Sequence, residues 1–475
     1  MSGLSQQTPD LPLSVPRRPY GLWAQMALLA AVLLAYHYML HNRGTWLGAV
    51  NPQTSPLYGN IQRYPTLALK AQTLLWTAAA ALLATGWLLL MWRARQRATM
   101  GLGLLLMMPL VAFAINASVQ MTNGGPAALL QPFEELGYEY YADVPRVESV
   151  GQFLHDYVEL APTLGLHPGT HPPGGVLLLY LVNKAVGGGV VSAVLASIAI
   201  GALGSIPAFL IARRLHGPSA AIIAAGLYVV TPNLVIYGAT CMDAVFAFFP
   251  LVGIYLYVRS LEERPLLFGA MAGLALGLAA MFTYATSVVG MFVAIHGLLH
   301  LARHRNTRTL WSLGACGVAF VAFFLSLYAA TGFNLIAALR HAIDWDSRLM
   351  DKAKATFSRR LTIGVGNMAA FLIMVGLPAA TLWLRQLWPA IKHGLKGDSL
   401  VLAFVLALLI CCFSGLFTME VERIWLFFSP LVVIPAAAWL DRWHSQHPHS
   451  HLALWLGLLT LLQTLLLELR IDTGS

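Results

Sequence analysis

The chain has 475 residues, of which 58% are hydrophobic and only 10% charged, against about 25% charged in an average soluble domain. Apolar segments of roughly 20 residues follow one another, each long enough to cross a hydrocarbon core of about 30 Å. This excludes a soluble globule and predicts an all-α, polytopic membrane protein. The net charge of +9 is spread as short basic clusters between apolar segments, the pattern of cytoplasmic loops and not of a nucleic-acid-binding face.

In chain order, a polar N-terminus with Arg17 and Arg18 precedes the first span, 20–40, which therefore reads as an uncleaved anchor. Spans 71–92 and 100–121 follow. Beyond a long loop, 122–175, come 190–212, 219–240, 243–260, 266–283, 286–302 and 310–331. A second outer loop falls at 332–361. Spans 363–385, 399–418, 424–440 and 451–469 then bring the total to about thirteen helices. A cytoplasmic N-terminus places "RARQR" (93–97), "ARRLHG" (212–217), "RHRNTR" (303–308) and "KHGLK" (392–396) inside, as the positive-inside rule requires. The apolar stretch "VLLLYLVNKAV" (176–186) is too short to cross and reads as a re-entrant or interfacial helix. A full crossing there would put "ARRLHG" outside. The chain thus divides into N-terminal membrane helices (1–121), an outer loop with candidate acids (122–175) and the remaining membrane core (176–475). Cys241, Cys316, Cys411 and Cys412 all lie in apolar runs, as small core residues do, and form no disulfide framework.

Most Asp and Glu fall on the outer side of this topology, although only Lys and Arg were used to set it. A 54-residue outer loop demands a function or disorder, and the aromatic, half-apolar character of 122–175 predicts packing. Its stretches 130–141 (Phe133, Leu136, Tyr140) and 150–161 (Phe153, Leu154, Tyr157, Val158) have the spacing of two amphipathic surface helices. Between them, in "YEYYADV", Glu139 and Asp143 are i and i+4, on one side of a continued helix. A partly desolvated carboxylate gains basicity and could act as general base on a hydroxyl. Two solvated loop acids are the plainer alternative.

In "HPGTHPPGG" (167–175) the prolines suit a helix start, so Thr170 or His171 is expected to cap a helix over 172–186. Free donors at a helix start attract anions, and His171 could add charge, so the site would suit a phosphate at the membrane surface. The alternative is a rigid cap with no ligand. A zinc reading of His167 and His171 is opposed by Pro168 and Gly169, which break the helix that would align them. In "MEVERIW" (419–425), Glu420, Glu422 and Arg423 lie at the outer start of a span, where charges pair or face a polar cavity. Arg423 is thus either part of an internal salt bridge or a phosphate clamp, and Asp243 shares the ambiguity. The segment 340–360 is basic and amphipathic and suits anionic lipid. The tract "HSQHPHSH" (444–451) reads as a solvated cytoplasmic turn.

An acidic outer loop, a "PP" helix start, "LIARRLHGPSAAIIAAGLYVVTPN" (210–233) and "DAVFAFFPLVGIYLYVRSLEER" (243–264) occur in an order that resembles the GT-C glycosyltransferases. These polyprenyl-phosphate-sugar-dependent enzymes include protein O-mannosyltransferases and lipid A aminoarabinose transferases. "GLALGLAAMFTYATSVV" (273–289) and "EVERIWLFFSPLVVIPAAAWL" (420–440) are similar to later family segments, so the resemblance runs over roughly 130–440. It implies inverting transfer of a sugar from a polyprenyl phosphate to a glycan, lipid or protein hydroxyl, at the periplasmic or extracellular face of the cell membrane. The base or acceptor-orienting acid would be Glu139 or Asp143, and His171 stands where the family commonly has Lys before "PP". Asp243 matches the Asp that follows the next helical hairpin. Tyr284 replaces another frequent Lys, so phosphate charge would have to come from Arg423 or the 340–360 segment. His167, Tyr284, Glu420 and Glu422 would line the cavity with Asp243. No cofactor is required by this reading, and a divalent metal is left open. Helices 20–40 and 71–92 have no counterpart in the family. Two rivals are a lipid-linked saccharide flippase, which should show internal repeats, and a non-catalytic assembly subunit, suggested by His171 and Tyr284 in place of lysines.

Overall fold

The computed structural model describes residues 20–42, 71–97, 100–134, 138–240, 242–349, 356–394, 398–417 and 420–469. Every regular element among them is helical. Six helical segments are long and apolar enough to cross a membrane: Gln72–Gln96, Leu102–Asn123, Val190–Tyr228 (which turns back at Gly217), Asp243–Glu262, Thr286–His304 and Arg308–Thr331. Shorter apolar helices are Gly21–Tyr36, Gly174–Val186, Pro265–Ala280, Ser399–Phe413 and Leu452–Glu468. By length and composition this is a multi-pass helical membrane protein. The helix Gly174–Val186 has 13 residues and rises only about 20 Å, short of a hydrocarbon core of about 30 Å.

The basic turn at "ARRLHG" is visible in the backbone. Gly217 has φ 87° ahead of Pro218, a left-handed conformation that glycine adopts without steric cost. A side chain on Gly204 would come within 2.7 Å of the Tyr228 hydroxyl, so the two legs lie side by side and the chain reverses at Gly217. Close approach also explains the glycines of Pro265–Ala280. At Gly269, Gly273 and Gly277, one helical turn apart, a Cβ would run into Ser312, Cys316 and Phe323 of Arg308–Thr331. Such small-residue stripes let apolar helices pack backbone to backbone.

Two sequence expectations need correction here. Segment 363–385 is not one continuous helix: the axes of Arg360–Met374 and Leu377–His393 differ by 119°, as in a broken span or a re-entrant pair. Gly376 (φ 95°) makes the break and Pro378 starts the next helix. The orphaned backbone groups are met by Gln463, whose Oε1 accepts from Leu377 N at 2.8 Å and whose Nε2 donates to Ile373 O at 2.7 Å, as helix ends require. Nor is "HSQHPHSH" a wholly solvated turn. The helix Ser429–Gln446 runs into it, His444 is buried, and His447 stacks on Trp443 with ring centroids 4.1 Å apart. Cys316, Cys411 and Cys412 are buried free thiols, whereas Cys241 lies outside the described residues.

Apolar packing falls into two clusters. The larger fills the helical bundle. The second, including Tyr140, Phe153, Tyr157, Val176, Phe246, Phe282 and Phe333, joins the 138–186 layer to the ends of the bundle helices. The candidate site lies in this second cluster.

Candidate functional site

The outer layer is built from short elements. Gln131–Glu134 is a single turn, Leu136 lies outside the described residues, and Tyr140–Arg146 is a 3-10 helix. The expected helix over 130–141 is therefore absent among the described residues, while the second one is present as Val150–Leu160, with Phe153, Leu154 and Tyr157 buried.

This geometry separates the two loop acids. Glu139 precedes the 3-10 helix in extended conformation, and a 3-10 helix brings i and i+3, not i+4, onto one face. The Asp143 carboxylate turns to the 163–165 segment. Its Oδ2 accepts from Gly165 N at 2.8 Å and its Oδ1 from Arg146 Nη1 at 3.2 Å, while Arg146 also donates to Thr163 O at 2.6 Å. Asp143 thus holds the layer's own fold. Glu139, also buried, instead places Oε1 3.0 Å from His167 Nδ1.

A ring cluster surrounds that pair. Tyr140 stands 6.1 Å from both His167 and His171 and 5.6 Å from Phe246, centroid to centroid. His171 lies over Phe246, with 29° between the planes. Burial pushes the Tyr140 phenol well above its usual range, with Asp243 and Glu139 adding to the shift. Burial pulls His171 down to about 4, reinforced by His167 and Arg423 and opposed by Asp243 and a backbone hydrogen bond. His171 is therefore neutral near pH 7. Its Nδ1 faces the His167 carbonyl at 3.2 Å, which can only accept, so the hydrogen-bond pattern assigns the proton to Nδ1 and leaves Nε2 as an acceptor.

"HPGTHPPGG" receives a different explanation from the one its composition suggests. Neither Thr170 nor His171 caps the next helix: it begins at Gly174, Pro173 stands at the cap and no side chain bonds to the first turn. Thr170 Oγ1 donates to Leu166 O at 2.7 Å within Leu166–Thr170. The glycines serve packing. A Cβ on Gly174 would overlap the Met281 carbonyl, one on Gly175 would sit 2.7 Å from the Tyr140 ring, and one on Gly169 2.5 Å from Ala161 O. Gly174 N donates to Met281 O at 2.7 Å, so this helix-start donor is already used. Tyr157, whose hydroxyl donates to the Pro168 carbonyl at 2.8 Å and also lies against that of His171, ties the stretch to Val150–Leu160.

Residues distant in sequence close the site. Asp243 opens the helix Asp243–Glu262, where a carboxylate is favoured by the helix dipole. Its Oδ2 lies 2.9 Å from Arg423 Nε, and Glu420 Oε2 lies 2.9 Å from Arg423 Nη2. Arg423 is held between two carboxylates, the salt-bridge arrangement weighed from the sequence. Glu420 takes φ 55° at the start of Val421–Ile424. Glu422 is fully buried, and its carbonyl accepts from Asn233 at 3.2 Å. The Tyr284 hydroxyl is buried with no hydrogen-bond partner among the described residues, and Tyr284 is an electrostatic neighbour of Tyr157. A buried hydroxyl without a partner marks a place where a ligand group can bind.

The structure therefore brings Glu139, His167, His171, Asp243 and Arg423 around Tyr140, and assigns Asp143 to a separate turn. Among the described residues no group of three or more His, Cys, Asp or Glu is placed to hold a metal ion. Residues that sequence reasoning passed over are Tyr140, at the centre of the cluster, and Arg146 and Tyr157, which hold the layer. Tyr140 and Tyr157 had been read only as apolar helix-face positions.

Residues 170–328, about a third of the chain, match the family model of dolichyl-phosphate-mannose-protein mannosyltransferases. The match begins within "HPGTHPPGG". No curated protein matches. Similar solved structures include the Archaeoglobus fulgidus oligosaccharyltransferase complex with zinc and sulfate, at 16% identity and TM-score 0.41 over 76% of this chain and 52% of that one. Another is ArnT from Cupriavidus metallidurans in the apo state, at 16% identity and TM-score 0.41 over 62% and 56%. A third is the archaeal enzyme tethered to an acceptor peptide, at 15% identity and TM-score 0.46 over 77% and 55%. The chain spans about half the length of the solved structures it matches.

Proposed function

We propose that the chain is an inverting glycosyltransferase that moves a sugar from a polyprenyl phosphate to an acceptor hydroxyl at the outer face of the membrane. The observation that carries this reading is the pair of the buried Glu139 with His167, beside Tyr140 and the Asp243–Arg423 ion pair. The matched family's description, which names a sugar carried on dolichyl phosphate, supports the donor class. In this mechanism the Glu139–His167 pair takes the proton of the acceptor hydroxyl as its oxygen attacks the anomeric carbon. The bond from that carbon to the phosphate oxygen breaks, and its electron pair leaves with the lipid phosphate. One base suffices, because a phosphate leaving group needs little protonation. Arg423 and the Tyr284 hydroxyl would meet the charge that grows on the phosphate. Arg423 must then exchange part of its contact with Glu420 for the ligand. His171, neutral and with Nε2 as acceptor, would become a phosphate donor only by taking up a proton as the anion binds.

The test is release of lipid phosphate by purified protein supplied with polyprenyl-phosphate sugars and a panel of acceptors. Release that requires Glu139 supports the reading. Movement of the intact lipid-linked sugar across proteoliposomes, with no bond cleaved, overturns it in favour of a flippase.

A further inference from the structure

Away from the outer layer, a groove of about 570 Å³ runs between the first helix, Tyr20–Asn42, and Leu377–His393. Its walls are mainly Leu28, Val32, Leu384 and Trp388, with Gln25, Thr381 and Arg385 as its polar members. Leu28, Val32 and Trp388 are exposed, so the groove is open to the hydrocarbon side. Arg385 is half-buried. One side of its guanidinium faces the Trp439 ring at 5.4 Å, and its Nη1 is buried without a hydrogen-bond partner among the described residues. A guanidinium walled by apolar side chains is expensive in a membrane unless an anion meets it. No carboxylate among the described residues does so. Arg385 lies two helical turns before Lys392, toward the end of the bundle that carries the basic turns.

We propose that this groove binds an anionic phospholipid, with the phosphate on Arg385 and the acyl chains along Leu28, Val32 and Trp388. The apolar walls select an amphiphile over free phosphate, and the unpaired cation selects an anionic headgroup over a zwitterionic one. The occupant also completes the seat of the first helix. That helix buries little beyond Leu22, Met26 and Leu33, and Tyr36 bonds across to Thr362 O at 2.9 Å. The inference is independent of the glycosyltransferase reading.

The full-length protein would be purified in mild detergent and bound phospholipid read by native mass spectrometry. Thermal unfolding would be compared in nanodiscs of phosphatidylcholine alone and with phosphatidylglycerol. The wild type is expected to retain phospholipid and to unfold at higher temperature with phosphatidylglycerol. Arg385→Gln should lose both effects, and Arg385→Lys should keep part of the preference. Val32→Trp, which fills the groove and leaves the charge in place, should lose the retained lipid, and it decides the matter if Arg385→Gln does not fold. An unchanged phosphatidylglycerol preference in Arg385→Gln overturns the proposal. So does retention of phospholipid by Val32→Trp, or a polyprenyl phosphate as the lipid that Arg385 retains.

Discussion

Replacing Glu139 by Gln and Asp143 by Asn should produce opposite kinds of defect, although the two acids are four residues apart in one loop. Glu139→Gln is isosteric and keeps an oxygen toward His167 Nδ1, now 3.0 Å from Glu139, but removes the base. General base catalysis is worth about 10²–10⁴ in rate, or about 2.7–5.5 kcal/mol at 1.36 kcal/mol per decade. Turnover should fall by that factor with little change in unfolding temperature or donor binding. In Asp143→Asn, one oxygen that accepts from Gly165 N or Arg146 becomes an NH₂ donor facing a donor. An unmet buried hydrogen bond of this kind costs about 1–3 kcal/mol, and it falls on the stability of the outer layer. Single-turnover release of lipid phosphate, measured beside thermal unfolding in the same detergent, separates the two. A hundredfold loss of turnover in Asp143→Asn at unchanged stability, with Glu139→Gln fully active, would refute the assignment.

Gly174→Ala should destabilise by about 1–3 kcal/mol, as overpacking against fixed backbone does, since its Cβ would overlap the Met281 carbonyl. Gly151→Ala, with open space around its Cβ inside Val150–Leu160, should gain about 0.4–1 kcal/mol, and equal denaturation midpoints for the two would contradict the packing argument. Arg423→Ala removes the cation shared by Asp243 and Glu420 and should cost about 3 kcal/mol, whereas Asp243→Ala leaves Arg423 paired with Glu420 and should cost less. The double variant Asp243→Ala, Arg423→Ala should recover part of that loss, and strict additivity of the two single variants in a denaturation cycle counts against the pair. For His171 the folded value of about 4 lies below the ordinary histidine value of 6.5, so the unfolded chain binds the proton more readily between them. Its contribution is fully present above pH about 6.5 and is lost as pH falls through about 4. His171→Asn should flatten the acid side of a stability profile across that window, and an unchanged slope would show that His171 is not the group responsible.

Helix content and the basic turns were legible because both rest on local chemistry. Apolar length marks the spans, and Gly217–Pro218 lies where the arginines of "ARRLHG" predict a reversal. The break inside 363–385 left a trace, Gly376 and Pro378 in an apolar run, but the partner that makes it tolerable, Gln463, is far away in sequence. The same limit hid the purpose of the glycines at 174 and 175, which are small because of Met281 and Tyr140. Glu139 and Asp143 do not share a face because Pro145 and the short elements around it favour a 3-10 turn. Asp243 and Arg423 were each recognised as a charge at an outer helix end, yet their pairing bridges 180 positions and has no local signature.

The bond from Gly174 N to Met281 O also constrains how this protein can be recombined. It joins the outer layer to the turn between Pro265–Ala280 and Thr286–His304 through main-chain atoms alone, so no side-chain exchange can create or abolish it directly. A chimera with a crossover at 175/176 would take the donor from one parent and the acceptor from the other. Its loop would then have to meet a foreign turn within a few tenths of an ångström. Crossovers that keep 138–186 and 240–285 from the same parent preserve both ends of this fastening. For grafting, the transferable unit is therefore two separated stretches of chain and not the loop by itself.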